Sequence, residues 1–93
     1  MAKNVHVEQP FTMDPVDVKT KMATVLADMA SKYGLSIDWQ SDTKVTIKRS
    51  GVKGWAEIGQ GSVVVDLNLS FPVSAMAGKV KEQLEHKMSK ELS

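Results

Sequence analysis

VTIKRSGVKGWAEIGQGSVVVDLNL, residues 45–69, holds two turn signals between three strand-like runs, and its pairing decides the fold. Ser50-Gly51 as a two-residue hairpin loop pairs Arg49 with Val52, Ile47 with Gly54 and Val45 with Ala56. Gln60-Gly61 as the next loop pairs Ile58 with Val63, Ala56 with Val65, Gly54 with Leu67 and Val52 with Leu69. Both hairpins place the apolar residues on one face. A slip of one residue would turn a whole strand over, so this agreement fixes the face of each strand.

Upstream, residues 35–39 read as another strand. Their loop must be odd in length, because a two-residue loop would set Asp38 against Val45. A three-residue loop, Gln40-Ser41-Asp42, pairs Trp39 with Thr43, Ile37 with Val45 and Leu35 with Ile47. The polar face then carries Ser36, Asp38, Lys44, Thr46, Lys48, Lys53, Trp55, Glu57, Val64, Asp66 and Asn68. In this register Asp38, Lys44 and Glu57 form one cross-strand row of alternating sign.

Residues 3–9 alternate, with Val5 and Val7 opposite Asn4, His6 and Glu8, as a half-buried strand does. Pro10 stops it. A helix follows. Asp14 is its N-cap, Pro15 its first residue, Met13 a staple onto Val18, and Gly34 its C-terminal stop. Val18, Met22, Val25, Leu26, Met29 and Tyr33 make its apolar stripe. Phe71-Pro72 ends the last strand. In the final helix Val73, Met76, Val80, Leu84, Met88 and Leu92 recur mostly at spacing four, so the stripe winds around the helix. Gly78 weakens that helix, and its far end is expected to fray or to need a partner.

The order is β-α-β-β-β-β-α in a single α+β domain over residues 1–93. We expect a five-stranded antiparallel sheet in spatial order 2-3-4-5-1, with both helices on its apolar face. This layout is analogous to a reduced helix-grip fold.

Composition sets further bounds. Ninety-three residues with 42% hydrophobic and 25% charged content suit one small globular core. The net charge of +1 implies neither nucleic acid nor a charged membrane as a partner. There is no cysteine, which removes disulfide and thiolate chemistry. MAKNVHVEQP has no apolar run of signal-peptide type. No stretch approaches the roughly 20 apolar residues that span a bilayer. A cytoplasmic protein is expected.

One stretch carries a family resemblance. Trp39, Asp42 and then V-x-I-x-R-S-G-V-K-G over Val45–Gly54 resemble the polyhydroxyalkanoic-acid-system family of small bacterial proteins. The strand Val63–Leu69, the Leu69-x-Phe71 junction and the final amphipathic helix extend the similarity to about residues 3–92. Pro72 departs from the family's mostly aliphatic junction. The resemblance implies a link to polyhydroxyalkanoate storage-polymer metabolism and a place at the granule. It implies no enzymatic activity and no catalytic residues.

Candidate sites are few. His6 and His86 are the only imidazoles; both are expected on wet faces, outside any catalytic motif. They are 80 residues apart and have no thiol beside them, so no metal site is expected. No cofactor is expected either. Lys48, Arg49 and Lys53 surround two glycines, as in an anion-gripping loop, but phosphate loops set their glycines before a helix and these lie between strands. Ser50, Gly51 and Gly54 therefore form a structural motif: a turn, and a small residue between Ile47 and Leu67. Arg49 points to the apolar face near residues 33–34, where it can meet the carbonyls that end the first helix or else wait for an anion. Arg49, Lys53 and Trp55 are the candidate binding residues. Trp55 stands among Asp38, Glu57 and Asp66, which argues against nucleic acid. The leading reading is a non-enzymatic accessory protein that meets a protein partner, a storage granule or a second copy of itself. The alternative is a small carrier holding an apolar, hydroxyacyl-type ligand between sheet and helices.

Overall fold

The computed structural model describes residues 3–92. Its elements are β1 (Lys3–Pro10), α1 (Pro15–Tyr33), β2 (Ser36–Trp39), β3 (Lys44–Arg49), β4 (Val52–Ile58), β5 (Ser62–Leu69), a 3-10 turn (Val73–Met76) and α2 (Ala77–Leu92). The strands form one antiparallel sheet in the order β1-β5-β4-β3-β2, which is the expected arrangement read from the other edge. Both helices cover the face that carries Val5, Val7, Val45, Ile47, Val52, Ala56, Val63, Val65, Leu67 and Leu69, all buried.

α1 begins and ends as its sequence requires. The Asp14 carboxylate accepts from the Val16 N–H at 2.9 Å. Gly34 takes a left-handed φ of 69° and donates its N–H to the Ala30 carbonyl. Val18, Met22, Val25, Leu26 and Met29 are buried, and Tyr33 lies at the edge of the core.

The β3–β4 and β4–β5 ladders have the register expected from the sequence. Gly51 sits at φ 86° in the two-residue turn, while no non-glycine residue among those described has positive φ, the sign pattern of a type II turn. Gly54 answers a different need. A Cβ there would lie 2.3 Å from the Asp66 carbonyl oxygen and 2.5 Å from a Leu67 methyl. β5 itself fills the space that any other residue would need.

The β2–β3 ladder differs from the expectation by two residues. Trp39 pairs with Val45 and Ile37 with Ile47, not with Thr43 and Val45. The connection is also odd, so every side chain stays on its expected face, but it is longer than Gln40-Ser41-Asp42. Local hydrogen bonds select the longer form. The N–H groups of Gln40 and Ser41 both donate to the Lys44 carbonyl, and the Thr43 N–H donates to Ser41 Oγ. Lys19 of α1 then holds Asp42 at 2.7 Å and lies 5.4 Å from the centre of the Trp39 ring. The shift dissolves the expected Asp38–Lys44–Glu57 row. Lys44 does face Glu57, but Asp38 faces Thr46.

α2 also departs from its reading. The turn ahead of it, Val73–Met76, is 3-10, with three residues per turn, and this rotates Met76 outward to 43% exposure while Ala77 takes the inward position. From there Val80, Leu84, Met88 and Leu92 are all buried. At the far end Leu92 is seated, 2% exposed. The winding stripe is accommodated because α2 rests on two surfaces, β1 and α1. Between the helices, Lys32 Nζ and Tyr33 Oη donate to Gln83 Oε1 at 2.5 and 3.2 Å. Lys87–Asp28 and Lys21–Glu91 follow at 3.7 Å. These pairs run α2 antiparallel to α1; exposed pairs of this kind are worth under about 1 kcal/mol each.

Candidate functional site

With both helices on one face, the other face of the sheet is bare. Pairing carries two rows of side chains across all five strands there. One row is Asp38, Thr46, Trp55, Asp66 and His6; the next is Ser36, Lys48, Lys53, Asn68 and Asn4. Trp55 is 38% exposed in the middle of the first. Its neighbour Asp66 accepts from Asn4 Nδ2 at 2.9 Å and lies 3.0 Å from His6 Nδ1.

These two contacts set the acidity of Asp66. Hydrogen bonding to His6, and then to Asn4, holds its carboxyl below the ordinary carboxylate value of 3.8, against a smaller opposing effect of burial. A lowered folded-state pKa contributes stability that is fully present above 3.8 and disappears as pH falls through the folded value. The melting-temperature gap between wild type and Asp66→Asn should therefore be open above that pH and close below it in a thermal series across the acid range. A constant gap would count against the assignment. The His6–Asp66 pairing depends on the β1–β5 register, which the residue pattern of β1 by itself does not display.

In the second row Lys48 and Lys53 stand directly opposite one another. Like charges so placed are destabilising. Arg49, next along β3, turns to the helical side, where its Nη1 donates to the Tyr33 carbonyl at 2.6 Å and its Nε to the Ser50 carbonyl at 3.1 Å. It thus meets one of the free carbonyls at the end of α1, near the negative end of the helix dipole. Arg49→Met should lower stability by about 1 kcal/mol in the isolated protein. An unchanged thermal midpoint would show that the contact contributes nothing to the fold.

Arg49, Gly51, Val52, Lys53, Asn68 and Ser70 line a surface cleft of about 170 Å³. Lys53 and Arg49 are thus brought to one place, with Ser50 and Gly51 as the turn behind them; Trp55 lies two residues from Lys53 on the bare face. His86 is exposed on α2, far along the chain from His6. Among the described residues no three His, Cys, Asp or Glu side chains cluster as metal ligands, and no helix is long and apolar enough to cross a membrane.

Between sheet and helices a space of about 20 Å³ remains, bounded in part by Met29, Tyr33, Arg49 and Val80. One water fills such a volume. Pockets for small molecules run to about 300–1,000 Å³. The carrier reading required a cavity of that size at this place, and the packed side chains occupy it.

No curated protein matches the chain. A family model described as "Putative polyhydroxyalkanoic acid system protein" matches residues 5–92, from Val5, the first buried residue of β1, to Leu92, the last buried leucine of α2, and the chain belongs to that family.

Proposed function

We propose that the protein is a non-enzymatic accessory component of the polyhydroxyalkanoate system that works by contact, through its bare sheet face. The family's description ties the chain to that system. The observation that carries the contact reading is Trp55, a large amphipathic side chain held half in solvent on a face that neither helix covers. Tryptophan is enriched among residues that dominate binding at protein surfaces. The filled interior supports the same reading, because it leaves surface contact as the means of engaging a partner. Its place of action is the cytoplasm, at the polymer granule or at a protein bound to it.

The test is sedimentation of purified protein with granules isolated from polymer-producing cells. Wild type is expected in the granule fraction, and Trp55→Ala, with its thermal midpoint retained, is expected to bind roughly tenfold less, as at an interface residue of this type. If neither the polymer nor granule proteins carry wild type down, the reading fails.

A further inference from the structure

The net charge of +1 conceals a separation of charge along the strands. The segments 29–37, 43–56 and 67–81 contain no Asp or Glu. Strand pairing gathers most of their length at one end of the molecule. There Lys3 begins β1 opposite Leu69, Lys48 and Lys53 oppose one another, Arg49 lines the cleft beside Lys53, and Lys79 lies in the first turn of α2. None of these five is in an ion pair among the described residues. Glu8, Asp14, Asp17, Asp42 and Glu57 belong to the other end, where β1 finishes, α1 starts and β3 begins.

Two of these placements oppose the fold's own interest. Lys48 faces Lys53, and the first turn of α2 holds a lysine and no acid, although the positive end of the helix dipole lies there. Departures from local rules concentrate where a surface serves a ligand. The same end also shows its apolar residues to solvent. Phe71 is 75% exposed and Met76 43%. The segment bearing them is anchored. Ser70 N–H donates to the Gly51 carbonyl at 2.8 Å, Ser74 N–H to the Ser70 carbonyl at 3.0 Å and Ala75 N–H to the Pro72 carbonyl at 3.1 Å. Val73 packs against the core while Phe71 faces away from it.

We infer that this end docks on an anionic phospholipid surface, with lipid phosphates at the Lys48, Arg49 and Lys53 cations and the Phe71 and Met76 side chains sunk below the headgroups. The charges supply the complementarity, and a fluid surface suits scattered cations around protruding apolar side chains. Weak insertion combined with several cations is the pairing of signals that gives reversible surface binding. The inference stands apart from the granule reading, because lipid vesicles contain neither polymer nor granule protein.

The experiment is co-sedimentation with phosphatidylcholine vesicles made with or without phosphatidylglycerol. Binding is expected only where phosphatidylglycerol is present, and it should weaken as salt is raised. Lys48→Glu and Lys53→Glu should each reduce partitioning by roughly tenfold or more. Phe71→Ser should reduce it about tenfold. Each charge reversal places opposite charges across β3 and β4, so thermal midpoints equal to or above wild type are expected and loss of fold does not mimic loss of binding. Absence of binding to phosphatidylglycerol vesicles, equal binding to pure phosphatidylcholine, or reversal variants that bind like wild type would each overturn the inference. So would full competition by free glycerol phosphate, which would mark a small-anion cleft. Retention on detergent-stripped granules without binding to vesicles would assign this end to a protein surface, and would overturn it too.

Discussion

Gly54→Ala is expected to destabilise the protein by about 3 kcal/mol or more, a large part of the roughly 5–14 kcal/mol available to a chain of this size. The direction is informative. In the middle of a strand, glycine is ordinarily the poorer residue, and alanine should gain roughly 0.5–1 kcal/mol. Here the added carbon would enter the van der Waals shell of the Asp66 carbonyl and the Leu67 side chain at 2.3 and 2.5 Å. The Asp66 carbonyl belongs to the backbone of a strand paired on both sides, so it yields only if β4 and β5 separate. Thermal unfolding reads the outcome. A fall of roughly 12 °C or more is expected; a midpoint that holds or rises would show that the two strands are not so close.

Leu84→Ala is expected to cost about 2–5 kcal/mol, since this side chain is 1% exposed between α1, α2 and the sheet. Leu92→Ala is the more discriminating companion. A frayed helix end gives almost no effect on truncation. A seated one gives about 2 kcal/mol or more. Denaturant titration of both variants, with slopes unchanged, separates the two conditions at the end of α2. The seated outcome follows from the inter-helix pairs at Gln83, Lys87 and Glu91, which carry α2 along α1 to its last turn.

Period-two alternation determined most of the architecture. It placed each strand on a face, and two short turns then left one register for β3, β4 and β5. The same alternation is silent about a shift of two residues, because such a shift keeps every side chain on its own face. That is why Trp39 was expected opposite Thr43 and is found opposite Val45. The deciding groups were polar and local: Ser41, Thr43 and Asp42, with Lys19 reaching from a distant helix. Met76 was misplaced for a related reason, since a stripe counted at α-helical spacing takes no account of one turn wound at three residues. Arg49 was legible to the extent that alternation sent it toward the end of α1. The opposed Lys48 and Lys53 were contained in the register as well, but net charge hides them, because it sums the ends of the molecule before they can be compared.

β1 pairs with β5, a strand that follows it by some fifty residues, while β2, β3 and β4 each pair with the next strand in sequence. During synthesis at roughly 5–20 residues per second, β1 leaves the ribosome several seconds before Ser62–Leu69 exists to receive it. Val5 and Val7 stay wet through that interval. The β2–β5 meander closes through short loops and is the natural first unit to form, whereas β1 must return across a long chain separation. α2 then lies over β1 and shuts it in. A chain released before α2 is complete therefore leaves Val5 and Val7, the apolar face of its first strand, without their cover.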